Sequence, residues 1–241
     1  MAGFPGSVLV CATPDHLAEV AANWLVHVMR SAYVDHGRVT LALSGGSTPE
    51  RLFRTLAAPA WRARLPWAVT HVYWCDERAV PPDDAASNYG RAKQQLLDHV
   101  ELPAAQIHRM PADDPDLDAA TARYAGALPA RFDLLLLGIG EDGHTASLFP
   151  GSPLLKESRR RVAAVTDAPK PPPCRLTLTP PVIESAGHLL VLASGAGKAE
   201  AIARALKHAT PVVDCPARLA RRGTWLLDRA AARAILDPHG N

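Results

Sequence analysis

Short apolar runs alternate with amphipathic segments along nearly all of this 241-residue chain. The apolar runs lie at 7–12, 39–43, 69–75, 132–137, 162–165, 188–193 and 225–228. Between them, residues at helical spacing predict helices at 13–31, 49–58, 88–99, 117–127, 197–208 and 229–236. We expect the first run to be a buried strand. Alternation of this kind predicts an α/β fold, with a mostly parallel sheet covered by helices on both faces.

The bulk properties narrow the class of protein. A net charge of +2 is too small to indicate a nucleic-acid partner. No apolar run approaches the roughly 20 residues that span a bilayer, and no secretion signal opens the chain. The cysteines and histidines lack metal-ligand spacing, so we expect no metal. We therefore expect one cytoplasmic α/β domain over residues 1–241, acting as a monomer.

In such folds ligands bind beyond the carboxyl ends of the strands, and the loop after 39–43 is glycine-rich. It contains Ser44, Gly45, Gly46, Ser47 and Thr48, with Pro49 next. We expect Thr48 to cap a helix that begins at Pro49. The loop would then present backbone N–H groups and a positive helix end, which suits a phosphate. A plain tight turn with a good cap explains the same residues equally well.

Three charged residues, Asp76-Glu77-Arg78, follow the run at 69–75. Charges at the end of an apolar strand are costly without partners or a ligand. Arg78 could offer its guanidinium to a phosphate, a carboxylate or a developing oxyanion. A structural ion pair is the alternative.

The loop after 132–137 has the sequence Gly138-Ile-Gly-Glu-Asp-Gly-His144, which contains a G-x-G-x-x-G pattern. A dinucleotide site needs a substantial helix after the glycines, and Pro150 would stop any helix within about two turns. We therefore predict no nucleotide cofactor. What remains is His144 with Asp142 two residues earlier, and histidine is the usual general base near neutral pH.

The loop after 188–193 places Lys198 in the first turn of a predicted helix. A cation there opposes the helix dipole, so an anionic ligand would explain it. Arg175, just after the proline-rich segment 169–173, could supply a second positive charge. Either side chain could instead be solvated.

Five stretches together resemble the 6-phosphogluconolactonase family. They are LSGGSTP (43–49), DERAVPPDDAASNY (76–89), LGIGEDGHTASLFPGS (137–152), RLTLTPPVI (175–183) and ASGAGKAEAI (193–202). They occur in the family's order and span most of the chain, and DGHTASLFPG is the most specific. The resemblance implies a Rossmann-like fold shared with glucosamine-6-phosphate deaminase and ribose-5-phosphate isomerase.

The resemblance also implies an activity, the hydrolysis of 6-phospho-D-glucono-1,5-lactone in the oxidative pentose phosphate pathway, with no cofactor. On this basis His144 matches the general base, oriented by Asp142, and Arg78 matches a substrate-contacting arginine. The glycine-rich loop, Arg175 and Lys198 match sugar-phosphate-binding positions. The alternatives are an amino-sugar-phosphate deaminase/isomerase and a non-catalytic sugar-phosphate-binding module.

Overall fold

Within the part of the chain that the structure describes, the main sheet has six parallel strands. The computed structural model describes residues 6–206 and 209–236. The strands of this sheet are β1 (Val8–Cys11), β2 (Val39–Leu43), β3 (Thr70–Trp74), β5 (Leu134–Gly138), β8 (His188–Ala193) and β9 (Thr224–Asp228). Their order across the sheet is β1-β9-β8-β5-β2-β3, and every pairing is parallel. The predicted α/β class is therefore confirmed.

Helices connect most of these strands. They are α1 (Pro14–His36), α2 (Ser47–Ala57), α3 (Pro59–Arg62), α4 (Asn88–Gln95), α5 (Leu117–Ala127), α6 (Pro180–Ser185), α7 (Ala199–Leu206) and α8 (Arg229–Leu236). The helix α1 runs to His36, five residues beyond the predicted end at Ser31, and Gly37 caps it with a left-handed φ of 76°. In the described part of the chain, no helix is both long and apolar enough to cross a membrane.

A second sheet of three antiparallel strands was not predicted. It consists of β4 (Asp76–Arg78), β7 (Arg175–Leu178) and β6 (Val162–Val165), in the order β4-β7-β6. The prediction of a loop at Asp76–Arg78 was wrong, and the apolar run at 162–165 pairs in this second sheet. An apolar run indicates a buried strand, but it does not say which strand lies beside it.

The first strand also differs from its prediction. We expected a buried strand at 7–12, whereas Val8, Leu9 and Val10 are each about two-fifths exposed. The reason is position, because β1 lies at the edge of the sheet and, among the described residues, pairs only with β9. Apolar composition alone does not separate edge strands from central ones.

Two predicted helix starts were wrong by a few residues. The helix α2 begins at Ser47 with Gly46 as its N-cap, so Thr48 is not the cap. The segment after β8 begins as a 3₁₀ turn, Ala196–Lys198, and becomes α-helical at Ala199. The predicted end of that helix at His208 lies outside the described residues. The helix predicted at 88–99 ends at Gln95 and is followed by a separate 3₁₀ turn.

Candidate active site

A cavity of about 200 Å³ opens at the carboxyl ends of β2, β5 and β8. Residues of β4, β7 and the loops beside them complete its wall. The predicted site residues that line it are Ser44, Gly45, Gly46, Ser47, Thr48, Arg78, His144, Arg175 and Lys198. Asp142 does not line the cavity but contacts His144. Four loops that are far apart in sequence are thus brought to one place.

His144 and Asp142 form a close pair beside the cavity. The Nδ1 atom of His144 lies 2.5 Å from Oδ1 of Asp142, and the His144 side chain is about one-fifth exposed. Partial burial alone would raise the pKa of the Asp142 carboxyl, but its hydrogen bond to His144 and the nearby positive charges hold that pKa well below its usual range. An ionised carboxylate only accepts hydrogen bonds, so Nδ1 is the donor and Nε2 is the nitrogen able to take a proton.

Tight backbone turns fix this pair. The N–H of Gly140 donates to the carbonyl of His144 at 2.8 Å, and the N–H of Gly143 donates to the carbonyl of Gly140 at 3.0 Å. Arg204 holds the carbonyl of Asp142 through Nη2 at 2.9 Å. Residues 141–152 form turns and no α-helix. The helix that a dinucleotide site requires is therefore missing from this described segment.

Arg78 reaches the cavity from the second sheet. Its Nη1 donates to the carbonyl of Ala86 at 2.7 Å, which holds the guanidinium in place. Its Nε is buried and has no hydrogen-bond partner among the described residues. A buried N–H without a partner is costly. The carboxylate of Glu77 fixes the neighbouring loop by accepting the backbone N–H groups of Arg78, Asn88 and Tyr89.

The glycine-rich loop lies close to the start of α4. A Cβ atom at Gly45 would lie 1.8 Å from Oδ1 of Asn88, so any larger residue there would displace the Asn88 side chain. Gly46 has a φ of 111°, which L side chains rarely adopt, and it leads directly into α2. The N-terminal N–H groups of this eleven-residue helix therefore lie at the cavity wall.

Lys198 reaches the cavity from the turn that follows β8. Burial lowers the pKa of its ammonium group, while the nearby carboxylate of Glu141 raises it. The turn before Lys198 is fixed by Asp228, whose carboxylate accepts the hydroxyl of Ser194 at 2.6 Å and the backbone N–H of Gly195 at 3.1 Å. Asp228 is 4% exposed, and it was missed in the sequence because it ends its strand without a motif.

Arg175 is buried, and much of its guanidinium is already hydrogen-bonded. Nε donates to the carbonyl of Pro172 at 3.0 Å, and Nη2 donates to the carbonyls of Lys170 at 2.7 Å and Pro171 at 3.4 Å. Nη1 lies 3.4 Å from the hydroxyl of Ser147. Its charge therefore acts on the cavity while its N–H groups hold the proline-rich segment.

Asp76 and Asn88 were not among the predicted site residues. Asp76 is 5% exposed, and its carboxylate accepts the hydroxyl of Ser147 at 2.7 Å and the side-chain amide of Asn88 at 3.4 Å. Asp76 and Asn88 both line the cavity. The charge of Asp76 and its position after an apolar run were visible in the sequence. The contact between Asp76 and Asn88, which are twelve positions apart, was not visible there.

Comparison with known proteins places the chain in a family. Residues 12–227 match the family model described as glucosamine-6-phosphate isomerases/6-phosphogluconolactonase. A curated 6-phosphogluconolactonase of Mycobacterium tuberculosis is 42% identical over 244 residues, covering 95% of this chain and 98% of the relative.

Solved structures agree with this assignment. A 6-phosphogluconolactonase from Trypanosoma brucei superposes with a TM-score of 0.82 at 28% identity, covering 96% of this chain and 99% of that one. A monomeric glucosamine-6-phosphate deaminase superposes with a TM-score of 0.81 at 26% identity, covering 94% and 99%. The chain therefore belongs to the glucosamine-6-phosphate isomerase/6-phosphogluconolactonase family.

Proposed function

We propose that His144 is the general base with which this enzyme hydrolyses 6-phospho-D-glucono-1,5-lactone to 6-phospho-D-gluconate. The activity follows from the lactonase relatives that match over nearly the full chain. The observation that carries the role of His144 is its 2.5 Å contact with an ionised Asp142 at a cavity lined by cationic side chains. Lactone hydrolysis needs a base for water and a positive environment for the phosphate and the oxyanion.

The chemical steps use groups that the cavity provides. Nε2 of His144 takes a proton from water as the water oxygen attacks C1 of the lactone, and Asp142 stabilises the imidazolium through Nδ1. Arg78 or loop N–H groups donate hydrogen bonds to the oxyanion that develops at C1. Collapse of this intermediate breaks the bond between C1 and the ring oxygen. Nε2 returns the proton to that oxygen, which becomes the 5-hydroxyl group of the product.

The phosphate binds at the glycine-rich loop. The N-terminal N–H groups of α2 and the hydroxyls of Ser47 and Thr48 offer hydrogen bonds to its oxygens. Lys198 supplies a point charge, and Arg175 adds a second from β7. No cofactor or metal is proposed, because a lactone is already an activated ester.

Replacing Lys198 with alanine is expected mainly to raise KM. Lys198 carries charge for the phosphate, so its loss falls mainly on binding. Hydrogen bonds to charged groups contribute about 1.5–3 kcal/mol, which corresponds to roughly a 10- to 150-fold rise in KM. Steady-state kinetics on Lys198→Ala and on the exposed Lys156→Ala control measure this. An unchanged KM in Lys198→Ala would remove Lys198 from the phosphate site.

The activity itself is tested by forming the lactone in place. Glucose 6-phosphate and its dehydrogenase generate the lactone, and the rate of 6-phosphogluconate formation is compared with the spontaneous rate. We expect acceleration in proportion to added protein. Release of ammonia from glucosamine 6-phosphate, without lactone hydrolysis, would instead favour the deaminase alternative.

We also propose that the protein is a monomer and that it is cytoplasmic. The monomer is tested by size-exclusion chromatography with light scattering at the concentration used for kinetics. A mass near twice the 25.7 kDa of the chain would contradict it.

A further inference from the structure

The proline-rich segment 169–173 places a lysine beside the catalytic pair. Nζ of Lys170 lies 3.7 Å from Oδ1 of Asp142. The same carboxylate oxygen is the one that contacts Nδ1 of His144. Asp142 therefore lies between an imidazole and an ammonium group. Lys170 is not part of the cavity wall, so it meets the pair from outside the substrate space.

Arg175 determines where Lys170 lies. Its guanidinium binds three consecutive carbonyl groups of the segment, those of Lys170, Pro171 and Pro172. Arg175 is itself fixed in β7 and is 4% exposed. A planar fork of donors is suited to holding several acceptors in one geometry, which a lysine at this position could not do. Arg175 therefore holds the segment in place at Lys170, the residue that carries the ammonium group.

The charge of Lys170 affects the pKa of both Asp142 and Lys198. It contributes to holding the pKa of the Asp142 carboxyl below its usual range, after the contributions of His144. It also helps to lower the pKa of Lys198, after the larger effect of burial. Since the Lys170 side chain is 46% exposed, solvent screens these effects and their size is moderate.

We propose that Lys170 is a positioning residue for lactone hydrolysis, which holds Asp142 against His144 and is itself held by Arg175. Lys170 restrains Oδ1 of Asp142, so the carboxylate stays aligned with Nδ1. The substrate does not need to touch Lys170 for this role. The proposal rests on the proposed function of His144.

The test compares Lys170→Met and Lys170→Arg with the exposed control Lys156→Met. We expect Lys170→Met to lower kcat roughly two- to fivefold with KM changed less than about 1.5-fold, the scale of a partly exposed ion pair. Lys170→Arg should restore most of kcat, because it keeps the charge. A raised KM at unchanged kcat would show a substrate contact instead, and unchanged kcat and KM would show no role; both results overturn the proposal.

A second comparison separates this inference from the proposed function. If Lys170 acts through the pair, Lys170→Met should cause no further loss in a protein that already carries His144→Ala. An added loss there would overturn the positioning role. Full activity in His144→Ala alone would refute the general base, whatever Lys170 does.

Arg175→Lys keeps the charge but removes the fork that binds the three carbonyls. We expect it to lower kcat, and to lower it no further when combined with Lys170→Met. The melting temperature shows whether Arg175→Lys is folded before its kinetics are compared. Fully additive losses in a folded double variant would contradict the link between Arg175 and Lys170.

Discussion

His144→Ala is expected to lower kcat about 10²- to 10⁴-fold, the usual loss on removing a general acid–base group. The variant leaves the phosphate loop, Lys198 and Arg78 in place, so KM should change little. Residual activity above the spontaneous rate should persist, since Arg78 and the bound geometry still stabilise the oxyanion. Steady-state rates with lactone generated in place, corrected for spontaneous hydrolysis, measure the loss.

A matched histidine separates chemistry from folding. His27 is exposed on α1, outside the residues that line the cavity, and His27→Ala should keep wild-type kcat. His144→Ala should retain the circular dichroism spectrum of the wild type. A folded His144→Ala with wild-type kcat would remove His144 from the mechanism.

The position of three of the site loops followed from the sequence. Parallel strands end at a common edge, so residues after β2, β5 and β8 had to meet there once the alternation was recognised. This placed Ser44, His144 and Lys198 in one site, and all three line the cavity. The class of fold and the choice of His144 needed no knowledge of side-chain packing.

The contacts that the second sheet contributes to the site could not be predicted from the alternation of strands and helices. Asp76 contacts Ser147 across 71 positions of sequence, and Arg78 pairs with Arg175 across β4 and β7. Antiparallel pairing between short strands depends on distant partners, and local periodicity carries no information about them. The contact of Lys170 with Asp142 was missed for the same reason, because it depends on how Arg175 holds the segment before β7.

Gly140 is a position where a small change should have a large effect on rate. A Cβ atom built there lies 2.0 Å from Nδ1 of His144 and 2.4 Å from Oδ1 of Asp142. Both distances are far below van der Waals contact, so both side chains must move. The backbone at Gly140 has no positive φ, so alanine suits its conformation. The collision is with the ends of two side chains, which can rotate away at little cost to folding.

Gly140→Ala is therefore expected to lower kcat about 10²-fold or more while the melting temperature changes little, because displacing a catalytic group by about 1 Å can cost that much rate. Kinetics and thermal melting on the same preparation measure both effects. Gly126→Ala is the matched control, since a Cβ atom at Gly126 in α5 meets nothing within 4 Å. That control should keep kcat and gain about 0.5–1 kcal/mol of stability, the usual benefit of alanine over glycine inside a helix. Wild-type kcat in Gly140→Ala would mean that the close contact between His144 and Asp142 is not needed for catalysis, and the proposed mechanism would lose its orienting carboxylate.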